Sequence, residues 1–362
     1  MGQQIKDAVD WLTSPTLYFL EFTLAIIFIL RFRAFFTKKW VIAVFFAVST
    51  AFMVFAFGDT NFNRIITKPD NVPIIILLAT VVFFSWLSLR RAYLNDEATK
   101  RGEPTQEAAL GKQRVFTWPD LVYIELIFMV IFTAVLIIWS IEITAPIEEP
   151  AASARTPNPS KAPWYFLGLQ ELLVYFDPWL AGVVLPSFIV VGLMAIPYID
   201  VNPKGNGYYT FEERKFAISF FWVGFLLFWV SFVILGTFLR GPNWSFFGPF
   251  EYWDLHKLEP MVNVDLATYF WTGLLGQARP EQPLIRELPG IILLLGYFAV
   301  IPKLLESRLM KSLFEGNRQH IIRYHVMMHL LLWFGLIPIK MLLRWTVSLK
   351  YIVGIPEWFF NI

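Results

Sequence analysis

Eight apolar runs, at about 16–31, 40–57, 73–89, 119–142, 180–199, 216–239, 288–304 and 322–343, restrict what this chain can become. Each approaches the roughly 20 residues that an α-helix needs to cross a hydrocarbon core about 30 Å thick. The runs are continuous rather than alternating, and about twice as long as a tilted barrel strand, so a closed β-barrel is excluded. The expected fold is therefore an all-α integral membrane protein with about eight transmembrane helices. Composition agrees: 57% of residues are apolar and 16% are charged, where soluble domains carry roughly 25% charge. The first run does not read as a cleaved signal peptide, because Lys6 before it is offset by Asp7 and Asp10 and no small-residue cleavage site follows.

Thirty Lys and Arg against 28 Asp and Glu leave a net charge of +2. That is far from the basic excess that neutralises a phosphate backbone, so nucleic acid is excluded as a partner. The chain has no cysteine, hence no disulfide, no thiolate ligand for an iron–sulfur cluster and no c-type haem attachment. Its four histidines, His256, His320, His325 and His329, all lie beyond the sixth run. His325 and His329 share one helix face at i and i+4. With no cluster of further ligands, they read as structural or as a contact with a neighbouring subunit.

Eighteen of the 30 Lys and Arg fall in the connections 31–39, 90–118, 199–215 and 303–323. By the positive-inside rule these connections face inward. Both termini, and the long connections 143–179 and 240–287, then face the outer side. The stretch IKDAVDWLTSP before the first run suits a short amphipathic helix on that surface. By texture the chain divides into three spans at 1–94, a charged inner linker at 95–114, a motif-dense part at 115–245, and an outer aromatic loop with two further spans at 246–362. No internal repeat or inverted pair of broken spans marks it as a secondary transporter.

The outer connection 143–179 is the most informative stretch. It opens TAPIEEPAASARTPNPSKAP, which cannot be regular helix, and turns into the helix-compatible WYFLGLQELLVYF. Pro163 suits the first turn of that helix, where its missing N–H is not needed. Gln170 and Glu171 are the strongly polar side chains within it, and burying a carboxyl there is expensive unless it has a partner or a task. Glu21 and Glu125 lie inside the first and fourth runs, where interhelical hydrogen bonding is the favoured reading. Asp120 opens the fourth run, where a helix cap would suit an anion.

Together, TWPDLVYI at the fourth run, APWYFLGLQELL in the outer loop, and the following DPWLAGVVLP resemble the C-terminal half of cytochrome b. In layout they are similar to subunit IV of the cytochrome b6f complex, over roughly 112–240. The resemblance implies a three-helix cytochrome b C-terminal-like unit in the middle of the chain. It also implies a Rieske–cytochrome b type quinol:acceptor oxidoreductase in an energy-transducing membrane, such as a bacterial inner membrane. In that family quinol is oxidised at the outer face; one electron passes to a Rieske iron–sulfur protein and the other to b-type haems. Since this chain lacks histidine in its first six runs, the b haems belong to a separate di-haem cytochrome b subunit, the iron–sulfur cluster to the Rieske partner, and a c-type cytochrome is a further expected partner. The family's Pro-Glu-Trp-Tyr motif aligns with Trp164 and Tyr165, which leaves Ala162 and Pro163 where Pro and Glu are usual. Pro163 accepts no proton, so Glu171, two turns further along, is the expected proton acceptor. Pro163, Trp164, Tyr165 and Gln170 then shape the quinol pocket, and Asp120 corresponds to an acidic residue at the inner quinone site. Two other readings stay open: a structural membrane subunit with a degenerate quinol site, favoured by Pro163, and a secondary transporter.

Overall fold

The computed structural model describes residues 2–111, 114–143, 150–201, 209–259 and 262–362. The helices are α1 (Gly2–Leu12), α2 (Pro15–Arg31), α3 (Lys39–Ala56), α4 (Val72–Lys100), α5 (Thr117–Glu142), α6 (Trp164–Leu172), α7 (Leu180–Ile199), α8 (Lys215–Leu239), α9 (Leu288–Phe314) and α10 (Arg318–Val347), with shorter helical turns between them. Among the described residues, seven helices are long and apolar enough to cross a membrane, and α1 and α2, bent by 80° from each other, make up to an eighth when the pair is taken as one broken span. The all-helical membrane class expected from the apolar runs is therefore what forms. Pro15 and Pro73 sit in the first turns of α2 and α4, where no intrahelical N–H is required. Helix α4 outruns its apolar run: RRAYLNDEATK continues it to Lys100.

The chain forms two compact units, each discontinuous in sequence: Met1–Trp164 with Lys204–Lys257, and Tyr165–Pro203 with Leu258–Ile362. In the first unit α2 packs on α8, with the Phe19 ring 5.4 Å from Phe232 and 6.3 Å from Phe228. At one end, Phe62 stacks on Phe250 at 5.5 Å over buried Ala56. There the Asp10 carboxylate accepts the Phe250 N–H at 2.9 Å, and Lys6 lies 2.5 Å from Asp59. Asp59 also caps the helical turn Thr60–Ile66 by accepting from Asn61 and Phe62. A Cβ at Gly248 would overlap the Asp10 carboxyl, so this approach requires glycine.

At the opposite end of the first unit, Asn95 donates to Glu107 Oε2 at 2.7 Å and to the Tyr209 carbonyl at 3.1 Å, and it accepts from the Gln106 N–H. Asp96 accepts the Glu212 N–H, and Arg33 pairs with Glu212. The charged segment read as a linker from sequence is thus docked, because its two buried polar residues, Asn95 and Asp96, are hydrogen-bonded to neighbouring backbone.

In the second unit α7 packs on α10, Phe188 stacking on Trp333 at 5.0 Å. Helices α9 and α10 run side by side, tied by hydrogen bonds from the Tyr324 hydroxyl to the Pro302 carbonyl at 2.5 Å and from the Tyr297 hydroxyl to the Leu332 carbonyl at 2.8 Å. The segment after α10 folds back as a small knot. Its strands β1 (Gly354–Ile355) and β2 (Phe360–Asn361) pair antiparallel, and Leu349, Ile352, Val353, Ile355 and Ile362 are all buried.

Candidate functional site

Helix α6 begins at Trp164, directly after Pro163, and ends at Leu172. Trp164 and Tyr165 lie in its first turn and are 37% and 51% exposed; Gln170 and Glu171 lie in its last turn. Trp164 and Glu171 are seven residues apart, hence on one helix face. That face runs from open aromatic surface to a fully enclosed carboxyl, since Glu171 is 0% exposed and Gln170 is half-buried.

The turn after α6 closes through the Tyr175 and Phe176 N–H groups, both donating to the Leu172 carbonyl. Asp177 then stands just before α7. Its backbone carbonyl accepts from Leu180 and Ala181, and its carboxylate accepts the Trp179 N–H at 3.4 Å. The same carboxylate accepts from the Tyr351 hydroxyl at 3.2 Å and the Asn361 amide at 3.1 Å. Burial, and then the neighbouring Asp177 charge, push the Tyr351 phenol up to about 12.

The other residues singled out from sequence lie elsewhere. Asp120 is exposed in the first turn of α5; the residue at the N-cap position is Phe116, so Asp120 does not cap the helix. Glu21 and Glu125 are also exposed. The interhelical hydrogen bonds expected of them are absent among the described residues, because α2 and α5 turn these carboxyls outward. Indeed no residue in the apolar stretch of α5 is buried. His325 and His329 face each other along α10 with ring centroids 6.0 Å apart, and His329 Nδ1 lies 2.8 Å from the His325 carbonyl. Two imidazoles on one helix, one of them exposed, do not fit the opposed axial ligands of a haem. No group of three His, Asp or Glu side chains able to hold a metal ion gathers among the described residues. In the second unit a cavity of about 290 Å³, lined by Leu266, Tyr269, Leu294, Leu336, Leu343 and Ile352 among others, has an apolar lining and contains none of the candidate residues.

Sequence reasoning passed over three features of the second unit. Lys340, inside α10, is 0% exposed; its ammonium donates to the Lys350 carbonyl and lies over the rings of Phe176 and Tyr351 at 5.7 and 5.9 Å. A cation deep within an apolar run was the available signal. Asp177 carried no such signal, since its partners are remote in sequence. Thirdly, the order Pro-Glu-Trp, looked for at 162–164, occurs instead at Pro356-Glu357-Trp358, as a single helical turn. Arg286 binds Glu357 at 3.1 Å and holds its carboxyl below the usual carboxylate range. That pairing makes Glu357 a weak base.

No solved structure matches the chain. Residues 150–246, which contain α6, α7 and α8, match the family model described as cytochrome b(C-terminal)/b6/petD.

Proposed function

We propose that the chain is a membrane subunit of a bc-type quinol:acceptor oxidoreductase and contributes its outer-face quinol-oxidation site. The observation that carries this reading is Glu171, a wholly enclosed carboxyl in the short helix α6 of the family-matched stretch. That helix sets the carboxyl two turns from the exposed Trp164 ring and on the same face, the placement a proton acceptor beside an aromatic pocket needs. In this reading a quinol stands against Trp164 and Tyr165, with Pro163 and Gln170 shaping the pocket. Glu171 takes one of the two quinol protons and the other passes to water at the outer face as the two electrons leave. One electron goes to an iron–sulfur Rieske protein and the other to b-type haem on a di-haem cytochrome b subunit, with a c-type cytochrome downstream; Asp120 serves an inner quinone site. The uncovered α5 and its outward Glu125 support the presence of a partner subunit, because intramembrane carboxyls face protein or water rather than lipid.

The test is to purify the native assembly and record its redox difference spectrum. Co-isolated b haem with quinol turnover is the expected result, and Glu171→Gln should cut haem-normalised turnover by about 10²-fold or more, the usual contribution of a general base. Unchanged turnover across pH in that variant refutes the assignment. A structural subunit with a silent quinol site is the second reading, and Pro163 in place of a carboxylate is what favours it.

A further inference from the structure

The segment that follows α10 lies outside the family-matched stretch, yet it binds the turn between α6 and α7 at several points. Two of its side chains, Tyr351 and Asn361, donate to the Asp177 carboxylate. The Trp179 indole N–H donates to the Asn361 carbonyl at 3.0 Å, and the Trp179 ring packs on Phe360 at 5.6 Å. Behind them Lys340 joins the Lys350 carbonyl to the faces of Phe176 and Tyr351.

The segment is itself firmly anchored. Ile352 and Ile362 exchange backbone hydrogen bonds with their neighbours, and Lys350 and Tyr351 pair with Val264 and Leu266. The buried Glu287 carboxylate accepts the Gly354 N–H at 3.1 Å, while Arg286 bridges Glu287 and Glu357. One partner is therefore rigid, and the other is a turn of only seven residues between the end of α6 and the start of α7.

We infer that residues 348–362, with Lys340, form a clasp that fixes the α6–α7 turn and so sets the position of α6; Asp177, Tyr351 and Asn361 are its positioning residues. The clasp's effect on chemistry rests on the outer-site reading above, but its effect on α6 does not. Asp177 is the hub because an ionised carboxylate accepts several donors at once, and hydrogen bonds to a charged group are stronger than neutral ones. Loss of the two side-chain donors leaves the Asp177 carboxylate with the Trp179 N–H alone, a local bond that does not reach the segment after α10. The turn then opens locally while the spans stay folded.

Hydrogen–deuterium exchange by mass spectrometry on the purified assembly tests this. In the double variant Tyr351→Phe, Asn361→Ala, amides of α6 and of residues 173–176 should exchange about tenfold faster, with the middle of α7 unchanged as reference. The single variant Tyr351→Phe, which removes only a hydroxyl, should give about a threefold change and guards against a double variant that fails to fold. Unchanged protection of α6 in either purified variant overturns the clasp. Quinol turnover normalised to haem should show a lowered kcat at unchanged KM, and parental kcat in a variant with accelerated exchange overturns the positioning role. If Glu171→Gln in the same assembly leaves turnover intact, the outer-site reading falls instead, and exchange alone decides the clasp.

Discussion

Two glycines on α9 should respond to alanine with opposite signs. At Gly290 an added Cβ would stand 2.8 Å from Val353 Cγ2 and 2.9 Å from the Ile352 carbonyl carbon, with the Ile352 oxygen closer still. Ordinary contact begins at 3.4 Å, so the Ile352 carbonyl must retreat by more than about an ångström. It cannot do so freely: Ile352 N–H is bonded to the Ile362 carbonyl at 2.6 Å, and Gly354 N–H to Glu287 at 3.1 Å. Overpacking against a fixed backbone and strain on a hydrogen bond to a buried carboxylate together cost about 2–4 kcal/mol. Gly296, less than two turns along the same helix, has nothing within 4 Å of its added Cβ and has helical φ −58°, ψ −47°. There alanine removes backbone freedom from the unfolded chain and stabilises by about 0.5–1 kcal/mol. The assay is the unfolding midpoint of the purified protein in detergent micelles, with both variants and the parent measured side by side. Gly290→Ala should unfold several degrees earlier and Gly296→Ala at or above the parent. A neutral Gly290→Ala would show that the segment after α10 does not pack against the start of α9 as described.

Glu125→Leu should leave membrane insertion of the chain intact, since a central carboxyl costs about 2.5–3.5 kcal/mol on insertion scales; recovery of partner subunits in pull-downs should fall, and equal recovery would remove α5 as their contact. Burial alone would raise the Asp59 carboxyl, but Lys6 and the N–H groups of Phe62 and Asn61 outweigh it and bring it below its ordinary 3.8. That stabilisation is therefore complete above pH 3.8 and lost as pH falls through the lower folded value. Asp59→Asn, which keeps a capping side chain, should flatten this acid loss in exchange measurements on α1 and cost under about 1 kcal/mol at neutral pH. Tyr351 behaves oppositely: with its phenol moved from 10 to about 12, its contribution is full below pH 10 and lost between pH 10 and about 12, where the unfolded chain ionises first. Tyr351→Phe should remove that alkaline loss, and an unchanged alkaline profile would count against its burial beside Asp177.

Much of the scaffold could be read from the sequence because its determinants are local. Apolar runs of span length mark the helices, and α6 announces itself where the proline-rich segment gives way to WYFLGLQEL. The ends were less legible: α4 continues through Arg90–Lys100 because Asn95 and Asp96 find backbone partners at 209–212, which no local pattern reveals. The exposure of Glu21 and Glu125 depends on which way a helix faces, and a helix that is apolar all round carries no such mark. At the candidate site, Trp164, Tyr165, Gln170 and Glu171 were legible from one short stretch. Asp177 and its donors were not, since Tyr351 and Asn361 stand 174 and 184 residues away.

That separation orders the chain's own synthesis. The turn at Phe176–Trp179 leaves the ribosome and enters the bilayer with α7 long before Asn361 exists, and neither Asn361 nor Ile362 can take its place until translation has passed both. A ribosome that stalls after α10 would thus release a chain with every span inserted and α6 still unsecured, a product that hydropathy and membrane fractionation alone would score as complete.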